Sequence, residues 1–288
     1  MTTITFTYDL EDHSHDTDNP KRYPVITEKL LDFLESRGIR CTVFVLGELA
    51  GNNPSLIKKI ADRGHEVGFH TYRHQHLTHE SPDNFRRETD YSKKMMEDLI
   101  GAPITGFRAP AFSLTRDSVW VLDILKTQGF TYSSSVLPIK NPINGFPGVP
   151  EKPFYWPNGI LEIPAPVARF GPLAIPFLGG IYLRYLPLKL IEYMLNSTPE
   201  KTCLWTYCHP HDFDNEEKFY VIRGTSFMTS LLLWMNRKNT FRKLQHLINN
   251  RKLEFQGPFA EMIASGKLGM LPFLIRPVWS CHCEPRRA

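Results

Sequence analysis

"ITFTYDLED", residues 4–12, decides how the rest of the chain is read. Ile4 to Leu10 is apolar and β-prone, so it reads as a strand, and it stops in three carboxylates, Asp9, Glu11 and Asp12. Such a strand end matters only in an architecture that brings other strand ends beside it. "ITEKLLDFLESRG" follows, with Ile26, Leu30, Leu31 and Leu34 at helical spacing and Gly38 as a stop. The alternation continues through strand "CTVFVLG", helix "NPSLIKKIADRG", strand "HEVGFH", helix "SPDNFRRETDYSKKMMEDLIG", strand "ITGFRAP", helix "DSVWVLDILKTQG" and strand "FTYSSSV". Strands alternating with helices of this length predict parallel β/α units.

Residues 138–187 break the rhythm. They are rich in proline and glycine, and their aromatic residues predict an ordered insertion with short strands such as "ILEIPAP". Regular structure resumes with helix "PLKLIEYMLNS" and strand "TCLWTYCH", and the end is helical and basic. The expected organisation is one catalytic domain over residues 1–265 and a basic tail over 266–288.

The bulk numbers narrow the classes. A chain of 288 residues with 42% hydrophobic and 22% charged residues is globular in composition. A net charge of +4 is too mild to imply nucleic acid. Basic residues thicken in "NRKNTFRKLQHLINNRK" (236–252), which reads first as a solvated helix face and second as a contact for anionic lipid or an acidic polymer. Five cysteines without a framework spacing point to a reducing compartment. No apolar signal core opens the sequence, and "SFMTSLLLWM" and "GMLPFLI" are too short to span a bilayer. The expected location is cytoplasmic, with a peripheral membrane contact as a further possibility.

In a parallel β/α array the C-terminal strand ends form the active face. Four strands deliver chemistry there: the "YDLED" carboxylates, His70 with His74 four residues on, Arg108 in "FRAP", and His209 after "LWTYC". A lone His pair is weak in a chain with 11 histidines, but the combination is harder to reach by chance. Two imidazoles and a carboxylate with an open position suit a catalytic zinc-type site. The pair His70/His74 would share a face if the chain turned helical after the strand. A second carboxylate could take the proton of a water, a histidine opposite could protonate a leaving group, and an arginine could orient the base.

These motifs resemble those of the polysaccharide deacetylases, carbohydrate esterase family four. "TYDLED" resembles the family's first motif, "HTYRH" its histidine motif, "FRAPAF" its arginine-proline motif and "YCHPHDFD" its last, with Tyr207 in the place of a leucine. "YSSSVLP" and "LGGIYLRYLP" are similar to the exopolysaccharide-locus branch. The resemblance covers about residues 4–260. It implies an incomplete (β/α) barrel of about seven parallel strands and a divalent metal, with zinc expected. It also implies removal of N-acetyl groups from an amino-sugar polysaccharide or its precursor, which could be lipid-linked. Carried over, Asp9 is the base, Arg108 tunes it, His209 is the acid, and His70 and His74 bind the metal.

Two further positions depart from the family pattern. Leu10 stands where a second aspartate is usual, so the metal carboxylate is Glu11 or Asp12; strand alternation favours Glu11 and a bend favours Asp12. Ser133 stands where relatives usually carry aspartate. A backbone N–H near Ala111 would stabilise an oxyanion, and Tyr182 and Arg184, after Gly179 and Gly180, are candidate substrate contacts. Two rival readings are a small-amide amidase of allantoinase type and a non-catalytic carbohydrate-binding protein.

Overall fold

The computed structural model describes residues 2–12, 21–141, 144–171, 173–199, 202–222, 225–250 and 253–268. Among them are eleven strands: β1 (Thr2–Leu10), β2 (Cys41–Val45), β3 (Glu66–Phe69), β4 (Gly106–Phe107), β5 (Tyr132–Ser133), β6 (Phe154–Tyr155), β7 (Leu161–Glu162), β8 (Val167–Phe170), β9 (Leu173–Pro176), β10 (Cys203–Trp205) and β11 (Leu253–Phe255). Seven of these run parallel in the order β10-β1-β2-β3-β4-β5-β7. β11 adds alongside the start of β1, and β6 closes the far edge antiparallel to β7. β8 and β9 form a separate hairpin.

The period of two along each strand sorts side chains into two cores. Ile4, Phe6, Tyr8 and Leu10 of β1 join Val43, Val45, Phe69 and Phe107 in the larger core, which also takes in apolar faces of the helices. Each such buried side chain contributes roughly 1.5–3 kcal/mol. Residues of opposite parity (Phe44, Tyr132, Leu161, Trp205 and Tyr207) form a second core with Phe259, inside the curved sheet. The two edges of the parallel run meet without a strand ladder among the described residues. Trp205 Nε1 instead donates to the Pro164 carbonyl at 3.1 Å across the gap. The sheet is therefore an incomplete barrel, as expected, with seven parallel strands in its continuous run.

Local sequence explains the long helix Pro82–Ile100. Ser81 caps its first turn by accepting from Asn84 N, Pro82 occupies the first helical position, and Gly101 ends it at φ 68°. The proline- and glycine-rich stretch is less of an appendage than its composition suggests, because it supplies β7, a strand of the continuous run. No helix of the described residues is long and apolar enough to cross a membrane. Beyond Leu268 the basic tail lies outside the described residues, as do His13, His15, Asp16, Cys281 and Cys283.

Candidate active site

β1 delivers Asp9 on the inner face, two residues beyond Thr7. Arg108, just past β4, donates from Nη1 to Asp9 Oδ1 at 2.6 Å and to Thr7 Oγ1 at 2.7 Å. Its Nε and Nη2 donate to the carbonyl and hydroxyl of Ser134, and its guanidinium lies 4.0 Å from the Phe44 ring centre and 4.4 Å from that of Trp205. The arginine is fully buried, so the Asp9 carboxylate is clamped in a low-dielectric wall by a fixed cation.

Glu11 continues the parity of Asp9 and reaches the histidines. Its Oε1 lies 3.1 Å from His70 Nε2 and 2.9 Å from His74 Nε2. Asp12, of opposite parity, turns instead to Lys21 at 2.8 Å, so it does not join the cluster. His70 Nδ1 donates to the Arg108 carbonyl at 2.8 Å. A neutral imidazole held that way turns its Nε2 lone pair toward Glu11 Oε1, and two lone pairs at that distance repel unless a cation lies between them. The donor set therefore fits a divalent metal: two imidazole nitrogens and one carboxylate oxygen, all within 4.8 Å of one another. Burial raises the Glu11 pKa, but His74, His209 and His70 outweigh it and hold the carboxyl well below its usual range.

The expected helical turn linking His70 to His74 is not present. The chain makes bends there, with Thr71 at φ 66° and His74 at φ 58°. Left-handed backbone brings the rings to 5.2 Å, at a cost of about 1–2 kcal/mol per residue. Ala111 (φ 51°) and Phe112 (φ 55°) share that conformation in the loop after β4. Asn144 bonds the Ala111 carbonyl at 2.7 Å and also His76 Nε2, tying the two loops together.

His209 faces both carboxylates, its Nε2 3.9 Å from Asp9 Oδ2 and 3.8 Å from Glu11 Oε1. Its Nδ1 donates to Asp212 Oδ2 at 2.8 Å, and its backbone N–H donates to the same oxygen at 2.9 Å. Burial opposes the charged ring, but Glu11, Asp212 and Asp9 push its pKa up to about 9. Asp212 was not anticipated, although its position three residues after His209 and Pro210 is the spacing of a helix-capping box. Gly180, at φ +50°, lies against His209; a Cβ there would stand 3.7 Å from the ring. At Gly179 a Cβ would stand 2.0 Å from the Tyr207 carbonyl oxygen, so only glycine fits.

Arg184, expected as a substrate contact, is instead enclosed within the fold. It is fully buried, its Nε 3.0 Å from Asp212 Oδ1 and its Nη1 donating to the carbonyls of Leu233 and Met235. Tyr182 is half-buried against the inner core. Ala111 alone of the three expected substrate contacts is exposed. Ser133 faces away from Arg108, bonding Ser135 and lying beside Glu162.

Comparison with known proteins divides the chain where the site is stitched together. Residues 2–133 match the polysaccharide deacetylase family, and residues 134–258 match a family described as a domain of unknown function, DUF3473. A peptidoglycan-N-acetylglucosamine deacetylase of Bacillus cereus is 34% identical over 84 residues, 29% of this chain and 30% of that protein. The chain thus aligns with less than a third of that relative's length. A solved structure of a proposed polysaccharide deacetylase from Mycobacterium smegmatis superposes with a TM-score of 0.61 at 18% identity, covering 96% of this chain and 95% of that one. A family 4 acetyl xylan esterase from Clostridium thermocellum, solved with a cobalt ion, gives 0.51 at 14% identity over 92% of each chain. At these identities the structures establish the shared fold.

Proposed function

We propose that this chain, whose residues 2–133 match the polysaccharide deacetylase family, is a metal-dependent hydrolase that removes N-acetyl groups from an amino-sugar polymer or its precursor. The observation that carries the reading is one convergence. Glu11, His70 and His74 meet at a point flanked by Asp9 on one side and His209 on the other.

Glu11, His70 and His74 would hold the divalent ion, with zinc the first candidate, and it would polarise the substrate carbonyl and acidify a water. The chain's own groups do the rest. Asp9, fixed by Arg108, accepts the proton of the attacking water. As the C–N bond breaks, His209 donates its Nε2 proton to the departing amine, and acetate and the free amino sugar are the products. The negative charges of Asp212 and Asp9 favour the protonated ring, the state from which an acid must start. Asp212 keeps the ring oriented with Nε2 facing the cleft. The Ala111 turn, whose carbonyl is pinned by Asn144, offers a backbone N–H to the developing oxyanion. The proton donor comes from the segment matched by the domain of unknown function, so that segment is part of the catalytic unit in this reading.

Acetate release should be assayed across N-acetylated glycans, sugar nucleotides and lipid-linked amino sugars, with metal content determined on the same preparation. Release from at least one N-acetylated sugar by wild type, and none by Asp9→Asn, supports the reading. Stoichiometric metal with no release from any of them favours an amidase on a small non-sugar substrate, and absence of metal favours a non-catalytic carbohydrate-binding role.

A further inference from the structure

The helix Phe227–Trp234 is apolar nearly all round yet lies at the surface. Its inner side is accounted for: Ser230 is buried, Trp234 and Phe227 pack on Phe219, and Trp234 Nε1 donates to the Glu217 carbonyl. Its outer side is not. Met228, Leu232 and Met235 stand at helical spacing on one face and are 68%, 44% and 41% exposed, with Phe227 and Val221 beside them. Contiguous exposed apolar side chains of this size mark an interaction surface.

The sequence that carries this helix is basic. From Lys218 to Lys252 it holds eight lysines and arginines and no aspartate or glutamate, and the two acids just before it are paired, Glu216 with Arg22 and Lys29 and Glu217 with Arg237. Arg237 is paired with Glu217, and the Lys243 ammonium is spent on the carbonyls of Leu183, Arg184 and Leu186. Lys218, Lys238 and Arg242 are exposed, with Lys218 next to the Phe219 platform and Lys238 four residues beyond Trp234. Apolar side chains rimmed by cations match an anionic bilayer surface, where the former enter the acyl boundary and the latter meet lipid phosphates. The charge opposes the other occupants. A second copy would set cation against cation, and residues 269–288 carry Arg276, Arg286 and Arg287 against one acid, Glu284.

We propose that the Phe227–Met235 face docks the protein on an anionic membrane surface. The site sits close by: Arg184 bonds the carbonyls of Leu233 and Met235 on one side and meets Asp212, the partner of His209, on the other. A docked molecule would therefore hold its catalytic cleft near the bilayer, within reach of a sugar carried on a lipid.

The test is co-sedimentation of the full chain with vesicles of about 70% phosphatidylcholine and about 30% phosphatidylglycerol, against pure phosphatidylcholine. Binding to the anionic vesicles is expected to weaken as salt rises from about 0.1 M to about 1 M. Met228→Glu and Leu232→Glu should each cut it at least about tenfold. Lys238→Glu should cut it by a smaller factor, and deletion of residues 269–288 should leave it unchanged. Both glutamate variants should retain wild-type helix content and wild-type turnover of a soluble substrate. The proposal is overturned if wild type does not bind, if it binds both vesicle types equally, or if the glutamate variants bind as wild type does. It is also overturned if wild type is a dimer that these variants convert to monomer. Vesicle binding is read without activity, so its outcome is separate from that of the acetate assay.

Discussion

Two largely buried glutamates occupy opposite ends of the barrel and behave in opposite ways. Glu66 opens β3 at the N-terminal end. It accepts from Thr42 Oγ1 at 2.7 Å, Tyr132 OH at 2.8 Å and the Ala260 N–H at 3.1 Å, all neutral donors. Burial outweighs those bonds and raises its pKa. Glu11 follows β1 at the C-terminal end, where its neighbours are imidazoles, and its pKa falls. Both are removed from bulk water, so burial alone does not mark a functional carboxylate. The kind of partner does: neutral N–H and O–H donors close a carboxylate into structure, whereas imidazoles lower its pKa when protonated and, when neutral, turn lone pairs beside it that leave room for a cation.

The widest separation between the two ends should appear in metal content. Glu11→Gln, His70→Ala and His74→Ala should each lose stoichiometric divalent metal and lower turnover by about 10³-fold or more. Glu66→Gln should retain the metal and stay within about threefold of wild-type turnover, because its neutral partners touch nothing at the site. Elemental analysis of the four proteins side by side decides this. A Glu11→Gln protein with full metal would erase the contrast.

Asp9 tests the comparison from within the active end. Asp9→Asn should keep the metal and the fold while losing about 10²–10⁴-fold in turnover, since an amide cannot take up a proton. Loss of metal along with activity would make Asp9 a ligand and not the base.

The third expectation concerns His209. An acid must be protonated, so kcat/KM should fall on the alkaline side as His209 loses its proton, and the limb should lie below about 9 because a cation held at Glu11 cancels part of the charge that raises it. Asp212→Asn removes one of the charges that raise this pKa. The basic limb should then move to lower pH, and turnover should drop by about 10²-fold as the ring loses its orientation. An unmoved limb would assign it to another group.

How much of this was legible in the sequence follows from which contacts are local. Strand parity is a local property, so the case for Glu11 over Asp12 could be approached from "YDLED" alone, whereas the parallel β/α architecture was legible in the alternation of strands and helices along residues 4–136. The His70–His74 link was misread because left-handed backbone at Thr71 and His74 leaves little signature in residue type: threonine rarely adopts it, and histidine is only modestly favoured there. Arg184 was misplaced because its partners, Asp212 and the carbonyls of Leu233 and Met235, lie 28 to 51 residues away in sequence. Ser133 drew notice by departing from a family pattern, yet it sits on the sheet face turned away from Arg108, a matter of register settled by pairing with β7.

The smallest effect sharpens the comparison most directly, because it assigns the two glutamates opposite signs in metal-free protein. Glu11 has a depressed folded-state pKa. Its contribution to stability is present above its unfolded value, about 4.3, and is lost as pH falls through the folded one. Glu66 has a raised folded-state pKa. Its favourable contribution is complete below about 4.3 and is lost as pH rises through the folded value. Substitution by glutamine removes each titration and leaves a pH-independent offset. The stability deficit of Glu11→Gln should therefore grow from acid to neutral pH, while that of Glu66→Gln should shrink or reverse over the same span. Urea denaturation of both variants and wild type at several pH values, with chelator present, reads the two slopes independently of their offsets. Slopes of the same sign would mean that the two ends of the barrel hold their carboxylates by the same physics, and the distinction drawn from their partners would fail.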